Sequence, residues 1–537
     1  MSLIYGVWSR GREIPREWVD YLHRQGMARH LAQSWTGRRV YLGKMDIGAF
    51  EPGWSSTQTR VTAIAGDAII TGQGRPQDVA ALESGDVEPL LRRSRGYFNL
   101  ARFDGELILA NDRLGMRPLY IYDDGELVVF CGALKIIEKL PGVRLTMDLA
   151  GVLETAAFGF PLAERTRYRE VSYLSGGTIW RNGVTSRYWT WEPQPVRDDI
   201  EAVMDEMYAA FQEAIRLRCR EPKVFASLSG GLDSRCIATE LWKQGAEVQT
   251  LNVSWPGSYD DVLGRMYAGK LGVTHHFKPR DLNDSGNTLT QHLFELSRAS
   301  QIWGGDDASL TIGHNRQTKA AIDKLRAGDK EAAAREFLRV CKIAVSGKLL
   351  KDRSAWAEAL PLRSLLDEMP ECDERTLWFF RLRNHHRRIV AFHLEEIDLV
   401  PFEFIEPLAD PEVIQLCASL PIDFCLGHNM YHEWLKRFPQ EIVSVAWQNY
   451  PGHLPSPTPL PPQAQSQWAI RKESSRSKLS SLTQAWRQLR REKSALVSRR
   501  AVSLAYLLHG LGVRDTSHLL RQVELLEAAG PGSERQE

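Results

Sequence analysis

The chain has 537 residues, 43% of them apolar and 25% charged. This ordinary globular usage excludes a disordered or fibrous chain and, at about 150 residues per domain, a single small fold. Lys plus Arg number 68 against 67 Asp plus Glu, so no global charge marks the chain for nucleic acid or membrane, although a local patch stays open. Seven scattered cysteines contain no CxxC pair, which argues against a disulfide framework or zinc ribbon and for a reducing compartment. The start lacks a basic-then-apolar signal, and no apolar run approaches the roughly 18 residues of a membrane helix. A cytoplasmic, multidomain protein is expected.

Residues 1 to about 190 read mainly as β. Short apolar runs at 61–70, 96–103, 106–110, 119–122 and 126–130 are punctuated by Asp104-Gly105 and Asp124-Gly125. Asp-Gly between such runs signals a hairpin, because Gly accepts positive φ without a steric penalty. A further hairpin over 175–188 turns at Asn182-Gly183. Helical spacing of Ile200, Val203, Met204, Met207, Tyr208, Phe211 and Ile215 predicts a helix over 198–219, capped by Asp198 or Asp199. Strand-like runs at 224–228, 248–253 and 273–277 then alternate with helical stretches at 235–244 and 260–271, the pattern of a parallel sheet with crossover helices. Residues 316–440 read as mostly helical. Residues 451–462 (PGHLPSPTPLPP) read as an extended connection. Beyond them, 471–500 reads as a basic amphipathic helix, more simply a solvated face than a docking surface.

The sharpest motif is Ser229-Gly230-Gly231-Leu232-Asp233-Ser234, between a strand and a helix. Open α/β sheets bind ligands at such carboxyl ends. Two glycines permit close backbone approach, successive N–H groups can cradle an anion, and the following helix presents its positive end. Ser229 and Ser234 add hydroxyls. An acid in an anion site makes sense if Asp233 holds Mg²⁺ on phosphates. The plainer alternative is a Gly-rich turn that caps a helix.

SGGLDS resembles the pyrophosphate loop of the ATP-pyrophosphatases, and the chain as a whole resembles the asparagine synthetase family, with its β-lactam synthetase and lasso-peptide cyclase relatives. The similarity extends over roughly residues 90–450. Asn111 to Tyr120 (NDRLGMRPLY) is similar to the family's Arg-Asp-x-x-Gly-x-x-Pro-Leu-Tyr. Residues 248–253 resemble the strand that ends near adenine. Ser258-Tyr259-Asp260-Asp261 through His275-His276 resembles its Asp-rich turn and His segment. Residues 403–410 (EFIEPLAD) resemble Glu-x-Arg-x-Pro-Phe-Leu-Asp, continued by LCASLP at 416–421.

The resemblance implies an Ntn-type αββα glutaminase-like domain over 1–192, an α/β parallel-sheet domain of ATP-pyrophosphatase type over 193–450, and a Pro-rich and basic helical segment over 451–537. It implies a ligase in which Mg-ATP adenylates a carboxylate, pyrophosphate leaves and an amine displaces AMP. By this resemblance Ser229, Gly230, Gly231, Asp233 and Ser234 hold pyrophosphate, and Leu228, Val253 and Gly305 touch nucleotide. Asp306 is the acid at the reaction centre, and Asp233 and Asp307 are Mg²⁺ ligands. The implied partners are a small-molecule or peptide carboxylate and an amine, with no membrane or nucleic acid; a homodimer is a family trait.

Several positions depart from the family. Ser2 stands where glutaminases place their nucleophilic Cys, and serves at most as a vestigial nucleophile. Ala65-Gly66-Asp67 replaces the glutamine-binding Asn-Gly-Glu. Gly304 to Leu310 (GGDDASL) is the counterpart of the second phosphate loop, with Ser309 where a Mg²⁺-binding Asp is expected. Ile405 replaces an Arg, and Trp447-Gln448-Asn449 lacks the late Lys. Arg383, His385, His386, Arg387, Arg388 and His453 are candidate substitute cations. Glutamine-derived ammonia is therefore not expected. A non-catalytic member of the same fold is the alternative, and sulfur transfer, which needs a Cys pair, is disfavoured.

Overall fold

A computed structural model describes residues 2–537 apart from 28–30, 192–193, 282–285, 307–310, 313, 315–316, 348–349, 351–354, 370–372, 385–400, 449–451, 468, 471–496, 512–519, 521 and 524–537. Two compact units emerge. One comprises Met1–Val143, Leu174–Asn315 and Arg381–Ile470, the other Arg144–Tyr173, Arg316–Phe380 and Arg471–Glu537.

The first unit begins with strands β1 (Leu3–Ser9), β2 (Gln33–Thr36), β3 (Val40–Met45), β4 (Trp54–Ser56), β5 (Val61–Ile69), β6 (Arg95–Phe103), β7 (Leu107–Asn111), β8 (Tyr120–Asp123) and β9 (Leu127–Cys131). After β10 (Val171–Tyr173), which falls in the second unit, come β11 (Thr178–Arg181) and β12 (Val184–Arg187). One antiparallel sheet runs β8-β9-β1-β3-β2 and a second runs β12-β11-β7-β6-β5-β4. Side chains alternate across β5, as strand geometry requires. Val61, Ala63 and Ala65 pack with Ile4, Trp8, Val40 and Leu42 between the sheets. Ile64 and Ala68 pack with Val79, Leu82 and Leu91 of the helices Arg75–Ser84 and Val87–Arg93 on the far side. The helix Arg16–Met27 lies against β1 and β3. The layers are thus helix, sheet, sheet, helix. The three expected turns form where the sequence places them: Gly105 and Gly125 have φ of 108° and 93°, and Asn182 and Gly183 have 49° and 97°. Positive φ at both central residues is the hairpin turn whose twist matches its strands.

The parallel sheet contains β13 (Lys223–Ser227), β14 (Glu247–Ser254), β15 (Thr274–Pro279), β16 (Gln301–Trp303) and β17 (Glu403–Ile405), in the order β15-β14-β13-β16-β17. The helices Ile200–Arg218, Asp233–Lys243 and Tyr259–Leu271 accompany it. Asp199 occupies the cap of the first, but its carboxylate binds Arg197 at 2.5 Å and 3.0 Å rather than the helix N–H groups. β17 falls inside a region read from the sequence as helical; at three residues it is too short to show a period.

The antiparallel and parallel parts of this unit share buried polar contacts. Tyr97 donates its hydroxyl proton to the Phe404 carbonyl. Arg218 Nε binds Asp67 at 2.5 Å and its Nη1 binds Asp410 at 3.0 Å, with Arg95 on Asp410 at 2.9 Å. Burial works against the charge of Arg218, yet Asp67 and Asp410 hold its pKa above the ordinary value.

In the second unit, the helices Leu149–Phe158, Lys319–Arg326, Lys330–Cys341 and Ala355–Asp367 enclose Phe158, Phe160, Phe337, Leu365 and Phe380. Glu154, fully buried, accepts hydrogen bonds from Leu162 N, Ser364 Oγ and Arg165. The predicted basic helix falls largely on 471–496, outside the described residues.

Candidate functional site

Chain order reverses beside β13: β14 and β15 extend the sheet on one side, β16 and β17 on the other. At such a switch point the loops after the two central strands diverge and leave a crevice at the carboxyl edge. The two loops here are 228–232, after β13, and the one that begins at Gly304, after β16. They are the two stretches that the sequence singled out.

The first loop is held from three sides. Gly230 has no room for a side chain, because a Cβ would lie 2.7 Å from the Tyr259 carbonyl oxygen. Asn252 Nδ2, on β14, donates to the carbonyls of Leu228 at 2.6 Å and Asp260 at 2.8 Å. The Gln448 N–H donates to the Gly230 carbonyl at 2.9 Å. The expected anion cradle is internally satisfied in this structure. Ser229 N donates to Ser234 Oγ at 3.1 Å, Gly230 N to Asp260 Oδ1 at 3.0 Å and Gly231 N to Ser229 Oγ at 3.2 Å. An anion that takes these N–H groups must displace one carboxylate and two hydroxyls. Burial raises the Asp260 pKa, which makes that carboxylate easier to neutralise and release.

Asp233 opens the helix Asp233–Lys243 and accepts a hydrogen bond from the Tyr431 hydroxyl. Burial pushes its carboxyl up to about 7, against the Tyr431 hydrogen bond and with the charge of Asp306 adding to the rise. Gly305 is buried against it: a Cβ there would sit 3.1 Å from Asp233 Cβ. Asp306 is exposed at the mouth. A Cβ on Gly304 would meet Glu406 Oε1 at 2.5 Å, so a third carboxylate borders the second loop. Leu228 is buried beneath the first loop, Val253 is half-buried near the end of β14, and Ser234 is buried. Ser229, Gly230, Gly231, Asp233, Ser234, Gly305 and Asp306 therefore gather at one crevice; Asp307 lies outside the described residues.

Arg235, fully buried, anchors the 442–446 loop through the carbonyls of Ile442 at 3.0 Å, Val445 at 2.5 Å and Ala446 at 2.7 Å. It stacks 4.4 Å over Tyr267 and 5.7 Å over Trp447. Sequence reasoning passed over Tyr431, Asn252 and Arg235, which no local motif marks. Asp260 was noted only as part of an Asp-rich turn.

Comparison with known proteins bears on this arrangement. Residues 79–190 match the glutamine amidotransferase domain family. The chain is similar to asparagine synthetase [glutamine-hydrolyzing] 3 of Bacillus subtilis, 28% identical over 151 residues, 26% of this chain and 25% of that protein. It is similar to a putative asparagine synthetase [glutamine-hydrolyzing] 2 of Methanocaldococcus jannaschii, 25% identical over 195 residues, 34% and 38% of the two chains. The matches span well under half the length of either relative. Among solved structures, it is similar to a B. subtilis glutamine phosphoribosylpyrophosphate amidotransferase complexed with ADP and GMP, with 12% identity over 56% of this chain and 81% of that one and a TM-score of 0.24. That overlap is too loose to place individual residues.

The positions that depart from the asparagine synthetase pattern have structural explanations. Ser2 is buried, and its N donates to Glu403 Oε1 at 2.7 Å and its Oγ to Asp46 Oδ1 at 3.0 Å. Arg117 closes over it, with Nη1 on the Ser2 carbonyl and Nη2 on Glu403 at 2.5 Å. Gly66 has φ +99°, and its carbonyl accepts from Arg75 Nη2 at 2.7 Å. Asp67 is committed to Arg218. Ile405 is fully buried in β17, and its carbonyl accepts the Gly304 N–H at 2.9 Å. Of the candidate cations, His385, His386, Arg387 and Arg388 lie outside the described residues, and Arg383 is half-buried on the helix Thr376–Asn384. Burial lowers the His453 pKa, and its ring lies 3.8 Å from that of His428.

Proposed function

We propose that this chain is an asparagine synthetase-like, ATP-dependent carbon–nitrogen ligase that activates a carboxylate as its adenylate, releases pyrophosphate, and forms an amide without drawing nitrogen from glutamine. The observation that carries the reading is the meeting of two Gly- and acid-bearing loops at the switch point, with Gly305 packed on Asp233. Backbone N–H groups of Ser229 to Gly231 and the start of the helix at Asp233 supply preorganised positive potential for a leaving pyrophosphate. Ser229 and Ser234 contribute hydroxyls, and Leu228 and Val253 border the nucleotide. Asp233, whose proton affinity is raised by burial and by the charge of Asp306, makes with Asp306 a pair of carboxylates that suits a hard divalent cation. Asp233, Asp306 and Asp307 would hold Mg²⁺, which neutralises charge on the phosphates. Asp306, at the mouth, stands where the activated carboxylate and the incoming amine meet. Positioning reactants in line provides much of the acceleration in such transfers.

Loss of glutamine use rests on Ser2 and Asp67, each bound into a buried polar network. Carboxylate-dependent exchange of labelled pyrophosphate into ATP, across small-molecule and peptide carboxylates, tests the activity. Asp233→Ala should abolish exchange and Mg-dependent ATP binding. Wild-type protein that binds no ATP at millimolar concentration, with carboxylate present, refutes the proposal. A non-catalytic member of the same fold is the second reading. It is favoured by the buried, apolar Ile405 and by Asp260 filling the first loop; ATP binding without any exchange would select it.

A further inference from the structure

We propose that His314, Cys417 and Cys425 form a buried zinc site, with the Met430 thioether completing the donor set. One ligand atom from each of the three residues lies within 4.8 Å of the other two, and all three residues are buried. Cys417 Sγ is 4.0 Å from His314 Nδ1 and 3.7 Å from Met430 Sδ. In a tetrahedral site with Zn–S near 2.3 Å and Zn–N near 2.0–2.1 Å, neighbouring donors stand about 3.6–3.8 Å apart. The observed spacings reach that geometry with small side-chain shifts. Two thiols, an imidazole and a thioether are soft to borderline donors, the set that selects zinc over magnesium or calcium. His314 Nδ1 also lies 3.2 Å from the Ile312 carbonyl. A nitrogen that ligates a metal carries no proton, so zinc on Nδ1 takes the place of this contact and leaves the ring proton on Nε2.

Buried cysteine is often only a small apolar residue. Here the thiols do not simply fill a core. They converge from different elements, with Cys417 on the helix Pro411–Ala418 and Cys425 on Ile422–Cys425, on a histidine whose backbone has φ +45°. All three belong to the same compact unit. Metal binding converts the two thiols to thiolates and releases two protons per ion, while the imidazole binds neutral. The ion would tie the segment after the second loop to the helix Asn429–Leu435, which carries Tyr431 to Asp233. Its role is to hold that helix in place, and the site stands whether or not the ligase reading does.

Full-length protein stripped of metal under reducing conditions and titrated with Co²⁺ tests the assignment. About one equivalent should bind per chain with a thiolate-to-cobalt charge-transfer band, which Zn²⁺ abolishes by displacement. Cys417→Ser and Cys425→Ser should each lose the band. His314→Gln, a milder change, should weaken Co²⁺ binding at least about tenfold with an unchanged circular dichroism spectrum. Cys131→Ser, an equally buried cysteine between β-sheet residues, should retain the band. A wild-type chain with no charge-transfer band overturns the proposal. So does a band that survives Cys417→Ser, or thiol reactivity of these cysteines that Zn²⁺ leaves unchanged.

Discussion

Replacing Arg218 with Met should be among the most damaging single changes in the first unit. The guanidinium is buried and makes three hydrogen bonds, to Asp67 at 2.5 Å, Asp410 at 3.0 Å and the Ala214 carbonyl at 2.9 Å. Without it Asp410 keeps Arg95 at 2.9 Å, but Asp67 loses its ion-pair partner. Removing one partner of a buried ion pair costs about 3–5 kcal/mol, because the remaining charge is left desolvated. Large domains lose about 2–4 °C per kcal/mol, so the unfolding transition of this unit should fall by roughly 6–20 °C. Differential scanning calorimetry reads that shift. The double variant Asp67→Asn with Arg218→Met removes the orphaned charge as well, and should recover much of the loss. A fall below about 2 °C for Arg218→Met, or a double variant that loses the sum of the singles, would refute the view that this pair links the two halves of the unit.

Other substitutions probe the crevice and its supports. Gly230→Ala would push a methyl to 2.7 Å from the Tyr259 carbonyl oxygen and should destabilise by about 1–3 kcal/mol, whereas at Gly231 the nearest atom is Ser229 Oγ at 3.4 Å. Thermal melting of the two alanine variants should separate them clearly. Arg235→Met strands three backbone carbonyls and should cost about 3 kcal/mol or more, read by urea denaturation. The charge that it removes is already strained by burial, which lowers the Arg235 pKa to about 10. Burial, with the Arg265 guanidinium adding to it, holds His275 down at about 4. The unfolded chain, with an ordinary histidine, then takes up the proton first, so stability falls as pH drops from about 6.5 towards 4, by on the order of 2 kcal/mol. His275→Asn should flatten that part of the urea-midpoint profile measured between pH 7 and pH 5; an unchanged slope would contradict it.

Much of the fold could be read from local chemistry. Asp104-Gly105, Asp124-Gly125 and Asn182-Gly183 turn because their glycines accept positive φ, and that preference belongs to the residue itself. The alternation of strand and helix after residue 198 likewise announced a parallel sheet, and SGGLDS lay at a strand-to-helix junction as read. β17 escaped notice because three residues carry no usable period. The anion loop was legible, but not that Asp260 and two serine hydroxyls already hold its N–H groups.

What the residues determined alone was therefore the kind of element at each place and the chemistry of the loops, since both depend on neighbours a few positions away. The tertiary structure decided which distant groups meet. Strand order β14-β13-β16 brings the two loops together, and Tyr431 reaches Asp233 across 198 residues. Arg218 joins Asp67 to Asp410, and a chain without a CxxC pair brings side-chain atoms of His314, Cys417 and Cys425 within 4.8 Å of one another. These pairings rest on burial and on electrostatics in a dry interior, which act between neighbours in space and leave no spacing rule in the sequence.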